Sequence, residues 1–345
     1  MKIGIIGLEY AGRRSLFSLL TGVPYETVCR QAECIGAVPV PDRRVDFLAE
    51  LYGSRKKTYA QVIFSLFPPI HTSDPQRRTT VADTRGVDVV AIVVRGFTDT
   101  SVFHPGGTVD PVRDCATVLS EMVFADLCLV ETRLERIEKQ ERARPADVDL
   151  LEKKTLVRFK EHLESGGMLN ALSVSGAELR AIRSLQFLTL RPVFAVVNCD
   201  DGSALAPTMP AGLRAISVPV KMEVEIQQLP AHERRAFRES LGIAESPLDR
   251  MLRFAYELGN AHTFITAGEK ETRAWTIRRG ATALEAAGAV HSDFAKGFIR
   301  AEVVSFEDLM AAGSEVEAKR RGHYRLEGRD YVVRDGDVIV FRFNV

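Results

Sequence analysis

The chain has 345 residues, of which 46% are hydrophobic, and its 46 Lys+Arg balance 46 Asp+Glu. That length suits roughly two or three domains, and the zero formal charge argues against indiscriminate coating of nucleic acid. No apolar run is long enough to span a bilayer, and cysteines at 29, 34, 115, 128 and 199 lack zinc-type spacing and read as reduced thiols of a cytoplasmic protein.

Met1–Ile6 reads as a first core strand rather than a signal peptide. Gly7 opens a loop that Gly12 closes, and Arg14–Leu20 reads as a helix with Leu16, Phe17, Leu19 and Leu20 toward a core. Strand, glycine-bounded loop and helix in that order are the opening unit of a nucleotide-binding α/β domain. Short apolar runs at Gln61–Phe67, Val87–Val94 and Val193–Val197 suit strands buried on both faces of a mostly parallel sheet. From Cys115 the pattern turns helical, with Val118, Met122, Leu127, Val130, Leu134 and Ile137 at helical spacings. The stretch Ala143-Arg144-Pro145-Ala146-Asp147 breaks that helix. A second helix carries Leu151, Leu156, Phe159 and Leu163 on one face and ends at Gly166-Gly167. Together they predict an antiparallel helical arm. Beyond Asn260 strand signals return, and Tyr331–Arg334, Asp335-Gly336-Asp337 and Val338–Phe341 read as two strands around an Asp-Gly turn.

A C-terminal series carries the most specific motifs: Phe264–Gly268, Arg273–Ile277, Gly280–Ala283, His291–Phe294, Lys296–Ala301 and Asp335-Gly336-Asp337 with Phe343-Asn344-Val345. It closely resembles the C-terminal ubiquitin-like (TGS) domain of the YchF, or Obg-like ATPase, family. Gly167-Met168-Leu169, Phe187–Pro192 and Val38–Arg44 extend the resemblance over nearly the whole chain. It implies a P-loop NTPase-like, mostly parallel α/β sheet with an inserted antiparallel helical arm and a C-terminal α+β β-grasp (TGS) domain. The expected boundaries are 1–115 and 191–258 for the two parts of the NTPase-like domain, 116–190 for the coiled-coil arm and 259–345 for the TGS domain.

The weak stretches of the match fall on the nucleotide site. The loop reads Gly7-Leu8-Glu9-Tyr10-Ala11-Gly12-Arg13-Arg14-Ser15. A P-loop lysine reaches the β/γ-phosphates and the following Ser/Thr hydroxyl ligates magnesium; here Arg13 holds the lysine position and Arg14 the hydroxyl position. A planar guanidinium is no conservative replacement for an ammonium in a tight backbone cradle, Arg14 repels a divalent cation, and Ser15 lies one place late. Where the family has an Asp-x-x-Gly switch, Phe64–Ile70 has neither aspartate nor glycine, and Asp74, followed by Pro75, is displaced. Asn198 and Asp201 keep an Asn-x-x-Asp spacing for base recognition, with Cys199 in place of the usual lysine.

The resemblance therefore implies a ribosome- or RNA-associated protein, with ATP or GTP as the ligand class, while the residues imply impaired magnesium binding and hydrolysis. No catalytic or metal-ligating residue is assigned. A metal-free nucleotide or anion held by Arg13 and Arg14 is one alternative; a divergent but active ATPase or GTPase is another. Candidate RNA contacts are Arg273, Arg278, Lys296, Arg300, Arg320 and Arg321, with Trp275, Phe298 and Tyr324 as stacking candidates.

Overall fold

The computed structural model describes residues 1–70, 81, 84–144, 149–200, 206–230, 232–243 and 245–344. The chain divides into two compact units, one formed by 2–36 and 63–251, the other by Met1, 37–62 and 252–345.

In the first unit a sheet has the order β2-β4-β1-β5-β6-β7, its strands being β1 (Lys2–Ile6), β2 (Cys34–Val40), β4 (Ala60–Leu66), β5 (Val89–Arg95), β6 (Val193–Asn198) and β7 (Ala215–Val218). The unit boundaries fall within β2 and β4. The pairings β4–β1, β1–β5, β5–β6 and β6–β7 are parallel. β5 and β6 are buried at every position, which is why they read as unbroken apolar runs rather than alternating ones. Crossover helices α1 (Arg13–Thr21) and α2 (Tyr25–Cys29) follow β1.

The predicted arm is present as α4 (Pro111–Ala143) and α5 (Leu150–Glu164). Asp110 caps α4 by accepting from the Val112 and Arg113 amides, and Asp149 caps α5 through Leu151 and Glu152. Lys160 pairs with Glu131 and Lys153 with Glu141, so one helix descends as the other rises. Arg133 and Glu152 form a two-pronged pair at 2.7 and 2.8 Å. Val130, Ile137, Leu156, Phe159 and Leu163 bury the seam. Pro145 and Asp147 of the predicted break lie outside the described residues. The short helices α6 (Gly176–Ala181), α7 (Val220–Gln228) and α8 (Arg234–Ser240) complete this unit, with α9 (Pro247–Leu258) crossing its boundary.

The second unit has a sheet in the order β11-β10-β12-β8-β9-β3: β3 (Lys57–Thr58), β8 (Ala261–Thr266), β9 (Thr272–Arg278), β10 (Phe298–Ser305), β11 (Arg325–Glu327) and β12 (Asp337–Phe343). Helix α10 (Ala283–Val290), followed by α11 (Ser292–Lys296), packs on one face over Phe264, Ala301, Val303, Ile339 and Phe341. The other face meets α3 (Arg43–Leu51), α12 (Phe306–Ala312) and α13 (Glu315–Arg320) through Val45, Leu48, Ile265, Ala274, Val304, Leu309, Ala318 and Val338. β3 pairs with β9 in parallel, and Arg44 bridges Asp42 and Asp335. Residues 37–62, placed by sequence in the first NTPase-like part, therefore group with the C-terminal elements.

One predicted strand is corrected. Tyr331–Arg334 makes only an isolated bridge, Val332 to Thr282, and β12 follows as the sole strand of the supposed hairpin. The Asp-Gly-Asp carboxylates are spent elsewhere. Asp335 accepts from the Thr263 amide and Arg44; Asp337 accepts from the Arg334 amide and the Tyr331 hydroxyl. That motif is a clamp, with Gly336 supplying the positive φ of 83°.

Candidate functional site

The glycine-bounded loop leaves β1 at Gly7 and enters α1 at Gly12, which caps the helix in the left-handed region with no side-chain hydrogen bond. Both glycines are required by close approach. A Cβ on Gly7 would stand 2.3 Å from the Val93 carbonyl oxygen, and one on Gly12 would stand 2.2 Å from Asn198 Nδ2. Asn198, at the end of β6, donates that amide to the Ala11 carbonyl at 3.1 Å, fastening the loop to the sheet. Tyr10 sits between the glycines at φ 60°, half exposed. Its ring meets Phe103 edge-on at 6.0 Å between centroids. A bulky residue in that region is strained, and such strain concentrates at functional sites.

Two cavities open beside the loop. The first, of about 480 Å³, is lined by Glu9–Ser15 together with Tyr25, Pro69, Phe97 and Val102. The second, of about 450 Å³, shares Gly12, Ser15 and Phe97 and extends to Asn198, Cys199, Asp200 and residues Val220, Lys221 and Val224 of α7. Each is large enough for a small ligand.

The two arginines behave differently. Arg14 is exposed at the mouth of the first cavity. Arg13 is buried, at 7% exposure, and donates from Nη1 to the Phe67 carbonyl at 2.6 Å and from Nε to the Leu8 carbonyl at 3.3 Å. Burial lowers its pKa to about 10, with Arg14 acting the same way and Glu9 opposing. Its charge is thus engaged by backbone carbonyls on two segments. Ser15 lines both cavities. Asp74 and Asp201 lie outside the described residues. Asp200 accepts from the Thr98 amide and hydroxyl, each at 2.9 Å.

Sequence reading missed the residue that shapes this rim. Arg95, 3% exposed at the end of β5, donates to the carbonyls of Phe97, Asp99, Val102 and Phe103 and stacks 4.4 Å from the Phe97 ring. Next to that loop, His104 Nε2 lies 2.9 Å from Asp114 Oδ2, and the Gly106 amide donates to Nδ1. The only signal was a charged residue ending an apolar strand. Asp126 was missed too: fully buried, it accepts from the Leu188 and Thr189 amides and the Thr189 hydroxyl. Burial raises its pKa against these bonds.

The candidate RNA contacts do not converge. Arg273 and Arg278 stand five apart on β9, hence on opposite faces, and Arg273 lies over the Trp275 ring at 4.1 Å. Arg320 and Arg321 both pair with Glu317 at 2.7 Å. Lys296 faces Asp293 at 3.8 Å. Arg300 lies across from Arg342 in the β10–β12 register, and Arg342 pairs with Glu302. Phe298 is core, and Trp275 stacks against Phe264, so neither presents a free face for a base. Tyr324 faces Tyr52. The five cysteines are free thiols. Among the described residues no helix is long and apolar enough to cross a membrane.

Residues 261–344 match the YchF-GTPase_C family model, described as a protein of unknown function (DUF933). Over its whole length the chain is 36% identical to the ribosome-binding ATPase YchF of Bacillus subtilis, spanning 100% of both proteins. It is 38% identical to the protein of that name from Haemophilus influenzae, spanning 100% of this chain and 99% of that one. Among solved structures, the YchF GTPase of Schizosaccharomyces pombe superposes with a TM-score of 0.83 at 26% identity, covering 99% of this chain and 97% of the other.

Proposed function

The chain belongs to the YchF family, and from that premise we propose that it is a ribosome- or RNA-associated member whose nucleotide site is impaired. It acts as a non-catalytic or weakly nucleotide-binding protein in the cytoplasm, engaging its partner through the helical arm and the TGS-like C-terminal unit. The names of its relatives support the partner class.

The observation that carries the impaired site is the engagement of Arg13. In a working P-loop the lysine at this position reaches the phosphates while the loop amides and the helix N-terminus cradle them. Here the guanidinium is buried and bonded to the Phe67 and Leu8 carbonyls. Phosphoryl transfer is mostly positioning and charge neutralisation, so a cation facing carbonyls instead of phosphate removes a principal contribution. Arg14 at the hydroxyl position adds repulsion where magnesium would sit.

A divergent, active ATPase or GTPase is the second reading, favoured by the two cavities and by Ser15 lining both of them. Calorimetric titration of nucleotide-free protein with ATP and GTP, each with and without magnesium, separates the two. Binding that is absent or magnesium-independent in the native chain, and magnesium-dependent in Arg13→Lys/Arg14→Ser, is the expected result. Magnesium-dependent micromolar binding by the native chain would sink the impaired-site reading.

A further inference from the structure

We propose that Arg13 is an internal lock: it ties Phe67–Ile70 to the Gly7–Gly12 loop and holds that segment in one conformation with no nucleotide bound. The proposal rests on the impaired-site reading and adds a consequence for regulation. In P-loop switches the segment following this strand is ordered by the γ-phosphate and its magnesium and released on hydrolysis. The same job falls here to a side chain that never leaves.

The geometry is specific to this segment. β4 ends at Leu66, and the backbone continues beside the loop: the Phe67 amide donates to Ile5 at 3.2 Å, the Ile70 amide donates to Gly7 at 3.0 Å, and Leu8 and Ile70 form a parallel bridge. Pro68 and Pro69 intervene, and neither has an N–H to give. Phe67 and Ile70 are therefore the only backbone donors of the four residues. Arg13 adds the missing bond from the other side, Nη1 to the Phe67 carbonyl at 2.6 Å, while its Nε holds Leu8 of the loop. One guanidinium thus bonds both segments.

Its path also fits the role. The side chain runs beneath the loop, so close that a Cβ on Gly7 would lie 3.1 Å from Arg13 Cδ. A buried cation is costly unless its donors are satisfied, and swinging Arg13 out toward a phosphate would forfeit both carbonyl bonds. Charge-assisted bonds of this kind are among the stronger ones. Lysine would not reproduce the contact in the same geometry, because its three donors sit on one nitrogen, whereas the guanidinium presents Nε to Leu8 and Nη1 to Phe67.

Hydrogen exchange at the Phe67 and Ile70 amides tests the lock in the full-length protein, with Ile92 in β5 as the internal reference for the fold. Arg13→Met keeps an unbranched apolar stem in the buried path and removes every donor. Exchange at Phe67 and Ile70 should accelerate tenfold or more in that variant while Ile92 is unchanged. In the native chain both amides should stay slow and be unaffected by saturating ATP with magnesium. Unchanged exchange in Arg13→Met, or native exchange that responds to ATP with magnesium, would overturn the proposal. If Ile92 also accelerates in Arg13→Met, the fold itself has been damaged, and Arg13→Lys decides by the same two amides. Calorimetric binding of magnesium-ATP by the native chain with no change at Phe67 or Ile70 would remove the impaired-site reading and leave the lock standing.

Discussion

Gly12 shows how little freedom the loop has. It combines a φ of 87° with an Asn198 amide 2.2 Å from where a Cβ would go. Gly12→Ala should therefore strain the backbone and push Asn198 off the Ala11 carbonyl, costing about 1–3 kcal/mol. Urea unfolding would read this as a lower midpoint at unchanged slope. A different residue sets a pH signature. Arg320 and Arg321 hold the Glu317 carboxyl down to about 2 from its ordinary 4.5. A depressed folded-state value stabilises above the unfolded value and is lost as pH falls through the folded one. Glu317→Gln should melt lower than the native chain near pH 7. That gap should shrink between about pH 4.5 and about pH 2, and a gap that is constant with pH would refute the assignment. The Glu317 side chain is partly exposed, and both of its partners lie in or directly after α13.

Elements explain what was legible in the chain and what was not. β5 and β6 were readable because strands buried on both faces leave continuous apolar runs, whereas β4 was readable from apolar residues alone, since Gln61 and Ile63 face outward. The arm was readable because Val118, Val130, Ile137, Leu156 and Phe159 repeat at helical spacings against charged positions. Tyr331–Arg334 misled because an Asp-Gly pair between apolar stretches has the same composition whether it turns a hairpin or clamps distant segments. Arg44, 291 positions from Asp335, gave no local hint of that pairing. At the nucleotide site, the substitutions Arg13 and Arg14 could be read directly, but where the Arg13 side chain goes could not, since its partners are backbone carbonyls and carry no residue signature. The arm itself yields a firm expectation. Phe159 is fully buried in its seam and meets Phe187 edge-on at 5.6 Å, so Phe159→Ala should destabilise by about 3–5 kcal/mol. Loss of ellipticity at lower urea, with the C-terminal unit's Trp275 fluorescence following a separate transition, would place the damage in the first unit.

At the scale of the molecule, the C-terminal unit is assembled from two distant pieces of chain. Residues 252–345 expressed alone would leave β9 without β3 and would uncover Ile265, Ala274, Val304 and Val338, which α3 helps to bury. That fragment should aggregate or remain unfolded. Joining 37–62 to its C-terminus through a flexible linker should restore a cooperative thermal transition, and a well-folded 252–345 fragment would contradict this account. The same arrangement has a consequence during synthesis. Roughly 190 residues separate the early piece from the late one, and ribosomes add about 5–20 residues per second. Val45 and Leu48 on α3 must therefore wait, apolar side outward, for on the order of 10–40 s before their partners emerge. The early piece is thus exposed to off-pathway association for longer than a locally completed unit would be, and slowing translation should lower the soluble yield.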